Sequence, residues 1–311
     1  MGTFSRGLNR RDVLWLLAYG SALASLGALP ARAISSQPLV KAIPATGETL
    51  PVIGMGTWKT FDVGRDSRLL GHRMKILQTF FDRGGRMIDS SPMYGSSEAV
   101  IGYCLKQLSN TADPFTATKV WTWFSSQGPA QIATSQDLWD VNTFDLIQVH
   151  NILSWEDHLK TLRKGKEAGR IRYIGITTSH GRRHTKFEQI MRQEPLDFVQ
   201  LTYNILDREA EARLLPMAAE RGIAVIANRP FRRKALFHLF QNQPLPPWAP
   251  EIDCANWAQF FLKFVVSHPA VTCAIPATSQ IAHMEENMGA LYGRLPTQVE
   301  RRHMIRYVES L

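Results

Sequence analysis

Eight short apolar runs, about 30 residues apart and separated by stretches of helical periodicity, limit this chain more than any other feature. They centre on residues 53–56, 87–90, 115–119, 145–150, 172–177, 198–201, 223–228 and 271–275. Strands that alternate with helices pair in parallel, because each helical crossover carries the chain back to the same end of the sheet. Eight such units in a row predict a (β/α)8 barrel, a fold that fills about 250 residues and fits within the 311 present. No linker-like segment interrupts the array, so residues 34–311 are expected to form one domain.

The segments between and before the runs support this. Leu39 to Pro51 reads as two short strands around a turn at Ala45-Thr46-Gly47-Glu48. Glu156 to Gly169 has helical spacing, with Leu159, Leu162 and Ala168 on the expected inner face. Asp207 to Gly222 begins acidic and closes on glycine, as one helix would, although Pro216 interrupts it.

The polar residues that close the runs are less ordinary. Asp89 follows Met87-Ile88, Lys119 ends Ala117-Thr118-Lys119, and His150 ends the run that begins at Phe144. Tyr94 stands five residues beyond Asp89, on the loop before a helical pattern. Taken singly, they read as a helix cap, a surface lysine, a core histidine and a rim aromatic. In a parallel barrel, however, strand C-termini gather on one face, and all four side chains would converge there.

This order of Asp, Tyr, Lys and His resembles the catalytic tetrad of the aldo-keto reductase family. The first-strand motif Gly54-Met55-Gly56-Thr57-Trp58 and the segment from Asp89 to Glu98 match the family too. So do Arg172 to Thr177, Phe198 to Asn204, and Ile275 to Ser279 followed by Glu285-Glu286-Asn287. The resemblance implies a barrel plugged at the bottom by the Leu39–Pro51 hairpin, and reduction of an aldehyde or ketone with hydride from NADPH or NADH. A phenol is a poor proton donor unless its anion is stabilised. Lys119, paired with Asp89, is therefore expected to lower the pKa of Tyr94, and His150 to orient the carbonyl oxygen. No metal site is expected.

By the same resemblance Thr57 and Trp58 face the cofactor, and Thr177, Thr178 and Gln200 hold its carboxamide. Asn228, Pro230 and Phe231 follow at the end of strand seven. Thr278, Ser279, His283, Glu286 and Asn287 take the adenosine end. The chain departs from many relatives at three places. Thr177-Thr178 replaces Ser-Asn, and Asn228 replaces an aromatic ring that stacks on nicotinamide, leaving stacking to Phe231 or Trp58. Ala277 and His283 replace a lysine and an arginine on the 2′-phosphate, so a modest preference for NADPH over NADH is expected. Arg229, Arg232, Arg233 and Lys234 read either as cover for the phosphates or as a solvated basic loop. Trp58, Trp121, Trp123 and Trp155 read as an aromatic substrate wall or as packing residues.

Two other classes stay open at this point. A non-catalytic barrel would keep the nucleotide and act as a sensor or interaction subunit, though it would not need the whole tetrad. A phosphate-binding isomerase or aldolase would carry a glycine-rich grip after strands seven and eight, which is not evident.

The formal charge of +9 is scattered and accompanied by no nucleic-acid motif, so no nucleic-acid partner is expected. Adjacent Arg10 and Arg11, a weakly apolar run from Val13 to Leu29, and Ala31-Arg32-Ala33 resemble a twin-arginine export leader over residues 1–33. The twin-arginine machinery is then a partner and the protein periplasmic or exported, the alternative being an uncleaved membrane anchor. Nothing fixes the oligomeric state. Three cysteines do not make a disulfide scaffold; buried thiols are expected, with a Cys254–Cys273 bridge left open.

Overall fold

The computed structural model describes residues 37–109 and 113–311; the leader read at residues 1–33 lies outside them. An antiparallel hairpin comes first, β1 (Val40–Ala42) and β2 (Thr49–Pro51). Its turn calls for a left-handed residue, which Gly47 supplies at φ 78° without the Cβ clash.

Eight strands follow: β3 (Met55–Gly56), β4 (Met87–Asp89), β5 (Phe115–Val120), β6 (Phe144–Val149), β7 (Ile171–Thr177), β8 (Phe198–Thr202), β9 (Ala224–Asn228) and β10 (Cys273–Ala274). Each pairs in parallel with the next. The ring closes where Ile53 bridges Ala274 in parallel and the N–H groups of Gly54 and Gly56 donate to the carbonyls of Ala274 and Pro276 (2.8 and 3.0 Å). The result is the (β/α)8 barrel that the alternation predicts.

Ten helices are described: α1 (Ser67–Asp82), α2 (Ser97–Gln107), α3 (Gly128–Trp139), α4 (Trp155–Glu167), α5 (His184–Gln193), α6 (Leu214–Glu220), α7 (Ala235–Phe240), α8 (Trp257–Val266), α9 (Ile281–Gly289) and α10 (Gln298–Glu309). The first shows why they form. The Asp66 side chain caps its open N-terminus by accepting from the Leu69 N–H (2.9 Å), and Ile76, Leu77, Phe80 and Phe81 recur on one face to pack inward. Fully burying such a side chain contributes roughly 1.5–3 kcal/mol. Among the described residues no helix is long and apolar enough to cross a membrane.

Along each strand alternate residues share a face, so the barrel interior fills in layers. At the lower end Met87, Phe115, Tyr173, Phe198 and Ala224, at or near the start of their strands, pack with Ile43 and Leu50 from the hairpin region. The Tyr173 hydroxyl is satisfied there by Thr46 (2.7 Å) and Glu48 (2.8 Å). The hairpin therefore stoppers the N-terminal end of the barrel, leaving the C-terminal strand ends as its mouth.

Two expectations need correction, and one question left open is decided. Asp207–Gly222 is not one helix: a 3-10 turn at Glu209–Ala212 precedes α6, and Pro216 sits in the first turn of α6, where its missing N–H leaves no bond unmade. Ala168 is exposed, while Gly165 takes the inner position of α4; a Cβ there would lie 2.5 Å from Ile171 Cδ1. Cys254 and Cys273 are not bridged, because all three cysteines are buried free thiols. Burial pushes Cys104 up to about 11 and Cys254 up to about 12.

Candidate active site

The same alternation that packs the lower barrel sets the polar residues at its mouth. Counting by twos from Phe115 and Ala117 reaches Lys119; from Leu146, Gln148; from Phe198, Gln200; and from Ala224 and Ile226, Asn228. Asp89 stands two residues beyond Met87 on β4. These side chains form the polar ceiling of an apolar interior.

Asp89 and Lys119 are its centre. Lys119 Nζ donates to Asp89 Oδ2 and to the Ser90 carbonyl, both at 2.6 Å. Asp89 Oδ1 accepts from Gln200 Nε2 (2.9 Å) and Gln148 Nε2 (3.2 Å), so neither carboxylate oxygen is left unpaired. Lys119 Nζ also stands over the Tyr94 ring, 5.2 Å from its centroid. Burial disfavours the ammonium, but Asp89, then Tyr94 and Glu98, raise the lysine above its ordinary pKa and keep it cationic.

Tyr94 is placed by its own loop. Gly95 takes φ 61°, and the Ser96 N–H and hydroxyl both donate to Asp62 Oδ1 at 2.9 Å. A Cβ at Gly95 would lie 2.4 Å from that oxygen, so the turn that aims Tyr94 requires glycine. Burial raises the phenol above its ordinary pKa; Lys119 pulls the other way and Asp89 adds to the rise. The expected lowering thus needs correction: Lys119 offsets burial without overcoming it, because the pocket is too dry, and Tyr94 keeps its proton.

His150 follows β6 directly and is buried. Its ring meets Tyr94 at 86° with centroids 5.7 Å apart, and its Nδ1 is 2.8 Å from Ser91 Oγ. Burial and then the Lys119 charge hold it well below the ordinary histidine pKa, so the imidazole is neutral.

The other residues singled out fall into three groups. Thr178, Gln200 and Asn228 make one network: Asn228 donates from Nδ2 to the Thr178 carbonyl (2.9 Å) and to Gln200 Oε1 (3.4 Å), and its Oδ1 accepts from Thr202 Oγ1 (2.8 Å). Thr177 Oγ1 accepts from the Asn151 N–H (2.9 Å) and Thr178 Oγ1 donates to the Arg182 carbonyl (2.8 Å). The Thr57 hydroxyl lies between the Asp89 carbonyl (3.0 Å) and Ser90 Oγ (2.9 Å), under the tetrad.

A second group spans the mouth. The Arg233 guanidinium, from the loop after β9, lies 4.3 Å from the centroid of Trp58, which follows β3. Pro230 and Phe231 are buried, and the Phe231 ring packs on Phe237 with centroids 4.7 Å apart. The third group runs from the segment before α9 along that helix. Thr278 and Asn287 are buried, His283 and Glu286 exposed, and the Ser279 carbonyl is 3.0 Å from His72 Nε2.

Sequence reasoning passed over Gln148, Ser91 and Glu98. Glu98 is buried and accepts from Thr118 Oγ1 (2.6 Å), Trp139 Nε1 (3.1 Å) and Ser135 Oγ (3.1 Å); burial raises its pKa against those bonds. Gln148 had a signal: an amide two residues beyond the inward Leu146, near the mouth end of β6.

The chemistry of the mouth fits an anionic cofactor. Arg232 pairs with Asp207 (3.3 Å), but Arg229 and Arg233 make no ion pair among the described residues, and Arg229 Nε is buried without a hydrogen-bond partner. Cations left uncompensated at a cleft raise the local concentration of anions.

The arrangement defines a (β/α)8 barrel with a buried Asp–Lys pair behind a tyrosine and a neutral histidine at its open end. The sequence profile of the aldo/keto reductase family matches residues 52–302, and the chain belongs to that family. An aldo-keto reductase of Bacillus subtilis (strain 168) is 26% identical over 202 residues, and the match spans 59% of this chain and 59% of that protein. The NADH-specific methylglyoxal reductase of Escherichia coli (strain K12) is 27% identical over 245 residues, 63% of this chain and 69% of that one. A solved aldo/keto reductase from Klebsiella pneumoniae, in complex with NADP and acetate, superposes with a TM-score of 0.72 at 22% identity, covering 84% of this chain and 93% of that one.

Proposed function

We propose that this protein reduces the carbonyl of a small aldehyde or ketone to an alcohol, with NADPH as preferred cofactor and NADH as a weaker one. The observation that carries this reading is the placement of Lys119 Nζ between Asp89 Oδ2 (2.6 Å) and the Tyr94 ring (5.2 Å), out of solvent. A barrel that only bound nucleotide would have no use for a buried cation aimed at a phenol.

When bound, a nicotinamide cofactor would supply hydride for the carbonyl carbon. Tyr94 gives its hydroxyl proton to the carbonyl oxygen as negative charge grows there. The phenolate left behind faces the Lys119 cation, which Asp89 holds in position, and a solvent proton restores it. His150, neutral, donates a ring N–H to the same oxygen and fixes its direction. Thr177, Thr178, Gln200 and Asn228 would hold the carboxamide, and Arg229, Arg232 and Arg233 the phosphates. Thr278, Ser279 and Asn287 would take the adenosine end, with His283 and Glu286 beside them.

We propose in addition that residues 1–33 are a twin-arginine leader and that the mature protein works outside the cytoplasmic membrane. Support comes from Arg10-Arg11, the apolar run and Ala31-Arg32-Ala33.

Purified protein should quench or shift nucleotide fluorescence with NADPH more strongly than with NADH, and oxidise the nucleotide only when a carbonyl compound is present. Binding without carbonyl-dependent oxidation across a broad aldehyde and ketone panel would favour the sensor class instead.

A further inference from the structure

We infer that Ser91 is a positioning residue: its hydroxyl donates to His150 Nδ1 and so fixes the imidazole as the tautomer that carries its proton on Nε2. Ser91 is fully buried, its Oγ lies 2.8 Å from His150 Nδ1, and the same oxygen accepts from the Met93 backbone N–H at 3.2 Å. A hydroxyl has one hydrogen to give and two lone pairs to receive. Met93 occupies one lone pair.

If Nδ1 carried the imidazole proton, it would occupy the second lone pair, and the serine hydrogen would have nowhere to go. Ser91 Oγ makes no third hydrogen bond among the described residues. A buried donor without an acceptor is costly, whereas the reverse assignment satisfies every group. The doubly protonated ring is disfavoured by burial and by the Lys119 charge.

The consequence reaches the reaction. Nε2 makes no hydrogen bond to the protein among the described residues, so it is the nitrogen left for a ligand. With Nδ1 served by Ser91, Nε2 carries the hydrogen and can donate to a carbonyl oxygen; in the other tautomer it would present a lone pair and repel that oxygen. Ser91 thus acts through His150, and the inference extends the reductase reading of the same site.

The test reads the tautomer directly. Nitrogen-15 spectra of the nucleotide-free protein, with the His150 signals identified by their loss in His150→Asn, should show Nε2 protonated and Nδ1 bare. Ser91→Ala should move those signals toward a mixture of tautomers and lower kcat for carbonyl reduction about tenfold or more, with nucleotide affinity changed less than about twofold. Ser91→Thr, which keeps the hydroxyl, should restore the spectrum. A wild-type ring protonated at Nδ1, or a Ser91→Ala spectrum identical to wild type, overturns the assignment. Because the spectrum needs no turnover, a wild-type protein that reduced no carbonyl would overturn the proposed reaction while the tautomer still decided the role of Ser91.

Discussion

Lys119 Nζ lies 2.6 Å from Asp89 Oδ2, and neither side chain is more than 2% exposed. A pair withdrawn this far from water adds little net stability, because desolvation cancels most of the attraction, but losing either partner strands the other. Here Gln148 and Gln200 complete the carboxylate and Tyr94 faces the ammonium, so the pair is one end of a polar chain that leads to the mouth.

Tyr94→Phe should lower kcat at least about a hundredfold while nucleotide still binds, since the ring and its packing remain and only the proton donor is gone. Lys119→Met should behave alike. Steady-state kinetics on both variants and the double variant check this; the double loss should be smaller than the product of the single losses, because the two side chains act as one unit. Near-normal turnover by Tyr94→Phe would remove the phenol from the mechanism.

Stability should fall as the medium is acidified through the histidine range. His268 packs edge-on to Tyr203 with centroids 5.7 Å apart, and burial, then Arg301, lowers its pKa from 6.5 to about 4. Below about 6.5 the unfolded chain takes up a proton that the folded one refuses until about 4, so stability drops as pH falls across that window. His150, also lowered, adds to the slope. Urea unfolding at several pH values should show a shallower slope for His268→Asn; equal slopes would exclude His268.

His283→Arg should tighten NADPH and leave NADH almost unchanged, since the new charge would face a phosphate that NADH lacks. The gain expected of one charge-assisted contact is about 1.5–3 kcal/mol when well placed, and less for a side chain as exposed as this one. Titration with both nucleotides decides it. Equal gains for the two, or none, would show that position 283 does not face the 2′-position.

Export should depend on Arg10 and Arg11. With both intact, N-terminal sequencing of protein from outside the cytoplasmic membrane should begin near Ile34. Replacing both with lysine should retain the protein inside. A mature N-terminus at Met1, or export indifferent to the arginine pair, would reject the leader.

Much of this was legible because strand ends leave a double mark, an apolar run and then a polar residue that a core would not choose. Asp89, Lys119 and His150 each carry that mark, and the barrel supplies the convergence. Ser91 carries none: nothing local separates it from Ser90, and its partner is 59 residues away. The path of residues 229–234 was hidden for another reason. Arg229, Arg232, Arg233 and Lys234 all take positive φ without a glycine among them, so tertiary contacts impose a course that local propensity argues against. The expected roles of Phe231 and Asn228 depended on that course, and the packing of Phe231 on Phe237 could not be read from spacing. The split before α6 was hidden likewise, because an acidic run ahead of a proline suits a long kinked helix and a short late one equally well.

The contact between Arg233 and Trp58 joins the loop after β9 to the rim of the mouth after β3, and its strength limits how firmly it could hold that loop. An exposed guanidinium over a half-buried indole contributes on the order of 1 kcal/mol, only a little more than thermal energy. A bias of that size favours the shut arrangement by about fivefold at most. If the loop after β9 opens, it is a door on a light spring, and a nucleotide bringing several phosphate charges to the arginines around it would decide for itself when the door stays closed.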